Sequence, residues 1–127
     1  MFDYTVETSK SRDEAVRDLE ANLQDEKFGV LWNFDLTAKL QEKGTDFSTP
    51  YTILEVCNPQ EANRVLSEDL MVGYFLPCKI VVYEEKGTTK IGMPKPSELI
   101  QMVNNDSIKK IAVDIEERLI GCIDKTV

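Results

Sequence analysis

Ile80-Val81-Val82-Tyr83-Glu84-Glu85-Lys86-Gly87-Thr88-Thr89-Lys90-Ile91-Gly92-Met93 decides the fold class. Ile80 to Tyr83 is a β-branched and aromatic run, the composition of a strand. Glu85-Lys86-Gly87-Thr88 reads as a tight turn, and Lys90 to Met93 as the returning strand, with Pro94 and Pro96 breaking it. A hairpin is antiparallel by construction, so strands and helices cannot alternate strictly along this chain.

Working toward the N-terminus, Tyr51 to Val56 reads as a strand apolar on both sides apart from Glu55. Val30, Trp32, Phe34 and Leu36 alternate as one strand face. Phe2, Tyr4 and Val6 alternate likewise, giving a half-buried strand from Phe2 to Thr8. Between them, Ser11-Arg12-Asp13-Glu14 is a capping box opening a helix with Ala15, Val16, Leu19 and Leu23 inward. This helix is expected to stop near Phe28-Gly29, glycine taking the left-handed conformation. Asp35 caps a short helix, Leu36 to Lys43, ended by Gly44. Asn58-Pro59-Gln60-Glu61 is another helix start, with Asn as cap and Pro in the first helical position. Leu70 to Leu76 reads as an apolar loop. Helices follow at Ser97 to Asn104 and Ser107 to Asp124. The last carries Ile108, Ile111, Ala112, Ile115, Leu119, Cys122 and Ile123 at helical spacing. The sum is a single α+β domain over residues 1–127, a mostly antiparallel sheet covered on one face by helices, with a long C-terminal helix.

The 127 residues carry a net charge of −8 and no histidine. The acidity argues against a nucleic-acid partner, which clustered Lys and Arg would mark. The missing histidine excludes Ser-His-Asp and Cys-His machinery and every His-bearing zinc site. No apolar run reaches a membrane span, and Met1-Phe2-Asp3-Tyr4 does not read as a leader, so a cytoplasmic protein without membrane contact is expected. The adjacent acids Glu84-Glu85 and Glu116-Glu117 diverge on a strand or helix and read as solvated charge. No phosphate-binding glycine loop occurs. The sequence names no cofactor and no catalytic residue, and an enzymatic role is not expected.

Three cysteines, an odd number, stand at wide spacings without a Cys-x-x-Cys, which suits free thiols. Two of them mark junctions. Cys57-Asn58-Pro59 lies where a strand gives way to a helix, and Leu76-Pro77-Cys78 where a strand begins. A thiol beside a helix N-terminus can have a depressed pKa. Two nearby thiols could pair, or hold a soft metal such as Cu(I). The usual fate of a free cysteine is a small buried hydrophobe, and that is the leading reading of both, with Asn58 and Pro59 explained by capping. Cys122 is expected in the core. A second candidate is an apolar lining: Trp32 and Phe34 with Tyr51 and Ile53, expected on a concave sheet under the long helix. The alternative there is a filled core.

Tyr4-Thr5-Val6-Glu7-Thr8, the helix from Ser11, Phe28-Gly29-Val30-Leu31, Asp35-Leu36, Cys57-Asn58-Pro59 with Ala62, and Leu76-Pro77-Cys78 with Val82-Tyr83 occur in a telling order. With them the chain resembles, nearly end to end, the bacterial and archaeal domain-of-unknown-function 302 family. The resemblance implies an α+β fold similar to the TATA-binding-protein arrangement, and a homodimer. It implies no activity. Three functional readings stand: a non-enzymatic, homodimeric binding or interaction domain; a thiol redox or soft-metal module on Cys57 and Cys78; and a carrier of a small apolar ligand. A sheet edge or the final helix is the expected dimer surface.

Overall fold

The computed structural model describes residues 2–127; Met1, part of the stretch read as lacking a leader, lies outside them. Five strands form one antiparallel sheet in the order β1-β5-β4-β3-β2: β1 Asp3–Thr8, β2 Gly29–Asp35, β3 Tyr51–Cys57, β4 Cys78–Glu85 and β5 Thr88–Pro94. The deciding hairpin is β4–β5, and Lys86 and Gly87 both have positive φ (53° and 81°), the requirement of its two-residue turn. Within the sheet, Gly92 is the register partner of Thr5 on β1. A Cβ there would lie 2.9 Å from Thr5 Oγ1, so the position takes glycine without displacement.

The helices are α1 Arg12–Asp25, α2 Leu36–Glu42, α3 Pro59–Glu68, α4 Pro96–Leu99 and α5 Asp106–Thr126. Ser11 caps α1 by accepting from Glu14 N at 3.1 Å, as the capping box predicts. Its end differs from expectation. Lys27, not Gly29, takes the left-handed conformation (φ 65°). Phe28 N donates to Leu23 O and Lys27 N to Gln24 O, both at 2.9 Å. Buried Phe28 packs in the core with Leu23, the hydrophobic contact that accompanies this kind of cap and offsets the strain at lysine. Gly29 is thereby released to begin β2.

Helices α1 and α5 cover one face of the sheet. The core comprises Ala15, Leu19 and Leu23 of α1, Leu54 and Val56 of β3, Ile80 and Val82 of β4, Ile91 of β5, and Ile108, Leu119 and Ile123 of α5. The α5 stripe read from the sequence is buried throughout, including Cys122. The helix runs two residues past Asp124 because Thr126 is inside: its hydroxyl donates to Cys122 O (2.8 Å) and accepts from Asn22 Nδ2 of α1 (3.0 Å).

The other sheet face is left open. In β3 the buried positions are Thr52, Leu54 and Val56, so Tyr51, Ile53 and Glu55 point the other way. In β2 the alternation breaks: Val30 pairs with Val56, but Trp32 pairs with Glu55, a bulge that inserts Leu31. One extra residue turns Trp32 and Phe34 onto the open face, away from Val30. The expectation that Trp32, Phe34, Tyr51 and Ile53 lie under the long helix is thus corrected. They lie on the side of the sheet opposite α5.

Candidate ligand-binding cavity

Two segments that are neither long helix nor strand frame a space beneath α5. After α3, Asp69 accepts from Met71 N (2.9 Å) and starts a 3-10 turn, Leu70–Phe75, where a loop was expected. Its Val72 is buried and anchors the turn, while Leu70 and Tyr74 each remain 80% exposed. Leu76 and the cis-linked Pro77 then lead into β4. On the far side, the expected helix Ser97 to Asn104 divides into α4 and a 3-10 turn, Ile100–Met102. Glu116 of α5 holds that wall in place, accepting from Ser97 N (3.0 Å) and Ser97 Oγ (2.6 Å). This is a carboxylate capping another helix's open end.

Between these walls lies a cavity of about 610 Å³. Its apolar sides come from Val65, Val72, Phe75 and Leu76, from Met93, Leu99 and Ile100, and from Ile108, Ala112, Ile115 and Leu119 of α5. The volume and lining are those of small-molecule sites. Leu31, Trp32 and Tyr74 also line it and are 64%, 56% and 80% exposed, so large apolar side chains rim the opening. Glu55 and Lys79 are its charged lining residues.

The predicted thiol site is divided by this geometry. Val56 and Cys78 are register partners, so Cys57 and Cys78 stand at neighbouring strand ends. Both border a hollow of only about 20 Å³ with Phe28, Asn58, Val65 and Leu76. Both are free thiols, and neither is activated. Burial raises the Cys57 pKa. Burial, helped by nearby Cys57 and Glu55, pushes Cys78 up to about 11. With both shifts upward, each thiol is protonated at neutral pH. Among the described residues no group of three or more Cys, Asp or Glu side chains is arranged to hold a metal.

Leu76, Pro77 and Cys78 line the large cavity, as does Trp32 at the mouth. Asn58 and Pro59 do not. Asn58 is buried, and its Oδ1 accepts from Gln60 N (3.0 Å) and Glu61 N (3.2 Å), while Pro59 opens α3. Phe34, Tyr51 and Ile53 belong instead to the open face. There Trp32 stacks on Phe34 (centroids 4.8 Å apart) and Tyr51 on its register partner Tyr83 (5.3 Å). The sequence reading missed Val72, Tyr74 and Phe75. Their available signal was the density of large apolar residues in a segment with no strand or helix period.

The match to known proteins runs nearly the length of the chain. The family model described as "Domain of unknown function DUF302" matches residues 4–126. The chain belongs to the DUF302 family. Its structure is similar to the crystal structure of an uncharacterized conserved protein DUF302 from Bacillus stearothermophilus, at 62% identity and a TM-score of 0.97, covering 100% of this chain and 99% of that one. No curated protein matches. Among the described residues, no helix of this DUF302 protein is long and apolar enough to cross a membrane.

Proposed function

We propose that this DUF302 chain is a non-enzymatic binding domain that takes a small apolar molecule into the cavity beneath α5. The observation that carries the reading is the cavity itself: about 610 Å³ of apolar-lined space with exposed Leu31, Trp32 and Tyr74 at its opening. A domain that needed only a core would gain dispersion energy by closing that space. The two raised thiols weigh against a redox module, since exchange needs a thiolate. Titration with N-phenylnaphthylamine, a neutral dye that brightens in apolar surroundings, tests the proposal. Saturable binding with one site per chain is expected, and absence of binding at dye solubility refutes it.

The open sheet face favours a second element of the proposal, a homodimer. By register, Trp32, Phe34, Tyr51, Ile53, Val81 and Tyr83 share that face, with Phe47 packed edge-on against Tyr51 at one end of it. Alongside them on β2, β3 and the first part of β4 stand one acid, Glu55, and one base, Lys79. This neutral surface on a chain of net charge −8 can meet its own copy with little repulsion. The surface replaces the sheet edge and the final helix as the proposed interface. Sedimentation of the wild type as a dimer, and of Phe34→Glu as a folded monomer, is expected. A monomeric wild type at micromolar concentration rejects it. The proposal includes action in the cytoplasm without nucleic acid, supported by the acidity and the free cysteines.

A further inference from the structure

We propose that the end of the molecule where the two 3-10 turns meet docks on an electrically neutral lipid surface, from which the apolar ligand passes into the cavity. The choice of a lipid partner rests on the reading of the cavity as an apolar-ligand site. On the first turn Leu70 and Tyr74 are 80% exposed and Met71 58%; on the second, Met102 is 90% exposed. The two turns are tied together. Glu68, the last residue of α3, accepts from Asn105 Nδ2 (3.5 Å) and Ser107 Oγ (3.4 Å). The residue two before Leu70 is thus held against the residue three after Met102, and the four exposed side chains share one end of the molecule. Large apolar side chains grouped in this way on a surface mark a contact with a partner.

Three observations favour lipid as that partner. Both turns are walls of the cavity, and Tyr74 lines it. An apolar ligand resides in lipid and is scarce in water, so a mouth seated on a bilayer takes it up without the cost of hydration. The turns are also uncharged. Leu70 to Cys78 is the longest stretch without a charged residue in a chain that is 30% charged, and Leu99 to Asn105 carries no charge either. Third, the exposed side chains stand on two short turns rather than on a flat face. Leucine and methionine can enter the acyl boundary there, with Tyr74 at headgroup depth, where tyrosine concentrates. The net charge of −8 offers anionic lipid no attraction, which selects a neutral surface. The proposal departs from the expectation of no membrane contact. A peripheral site needs no spanning helix, and no helix among the described residues is long and apolar enough to be one.

The test sediments the protein with sucrose-loaded phosphatidylcholine vesicles. Saturable binding is expected, unchanged between about 0.1 and 1 M salt because it is apolar. Leu70→Ser and Met102→Ser are each expected to weaken it at least about threefold, and together about tenfold, through the apolar area that no longer enters lipid. Neither side chain lines the cavity, so N-phenylnaphthylamine titration of both variants in vesicle-free solution should match wild type. A wild type that takes the dye but ignores the vesicles overturns the inference and leaves the cavity reading standing. So do variants that bind vesicles as wild type does, and binding that appears only when phosphatidylglycerol is added, since charge would then carry the contact. A wild type that takes no dye overturns both.

Discussion

Ala112→Leu tests whether the space under α5 is open. Ala112 is 7% exposed, sits on the inner stripe of α5 and lines the cavity beside Ile108 and Ile115. The substitution adds three carbons to that wall. Each buried methylene contributes about 0.8 kcal/mol, so the ceiling is about 2.4 kcal/mol. Freezing the leucine rotamer costs about 0.5–1 kcal/mol. The helix propensities of the two residues nearly match. A net stabilisation of about 1–2 kcal/mol follows if the space is empty. In a filled core the same change would overpack and destabilise by about 1–3 kcal/mol. The sign therefore separates the two cases. Urea unfolding at fixed protein concentration reads it, the concentration being held because a dimer's stability depends on it. The same carbons occupy ligand space, so dye affinity should fall at least about tenfold, or about 1.4 kcal/mol. A destabilised variant that binds dye as tightly as wild type refutes the reasoning.

Asn58→Ala removes the side-chain oxygen that accepts from Gln60 N and Glu61 N at a buried site; a loss of about 1–2 kcal/mol in urea unfolding is expected, with dye binding retained because Asn58 lies outside the cavity. Stability should also fall with rising alkaline pH. The folded chain keeps the Cys78 proton to about 11, whereas the unfolded thiol releases it near 9.0. The unfolded state thus binds fewer protons across that window, and the Cys78 contribution, intact below it, is lost as pH rises through it. Unfolding curves from pH 8 to 10.5, in about half-unit steps, should show a shallower decline for Cys78→Ala than for wild type. Equal slopes would mean that Cys78 is not desolvated.

What could be read from the sequence was local or strictly periodic. The β4–β5 turn was legible because Lys86-Gly87 has few other uses between two β-rich runs, and the α5 stripe because seven apolar positions recur on one face. Ser11 and Asn58 declared their helices by cap chemistry. The bulge at Leu31 was not legible. Val30, Trp32 and Phe34 alternate cleanly, and only pairing with β3 shows where the register slips. In β3 both faces are apolar enough that alternation could not choose the buried one. The end of α1 was misplaced by one feature, a lysine in the left-handed region two residues before the obvious glycine, held by burial of Phe28. The cavity was invisible for a different reason. It is an absence of atoms created by two 3-10 turns and the Glu116–Ser97 clamp, contacts between segments far apart in sequence. The junction motifs pointed to Leu76, Pro77 and Cys78 for their thiol chemistry. They lie at the site as its wall.

The most direct test of the account is isoleucine methyl NMR of the intact protein as dodecanol is added. Ile100, Ile108 and Ile115 line the cavity, while Ile53 lies on the open sheet face. The account predicts saturable shifts at the first three and none at Ile53. Shifts at Ile53 alone would move the binding surface to the sheet, and no saturable shift at any methyl would contradict the claim that the space under α5 is a ligand site.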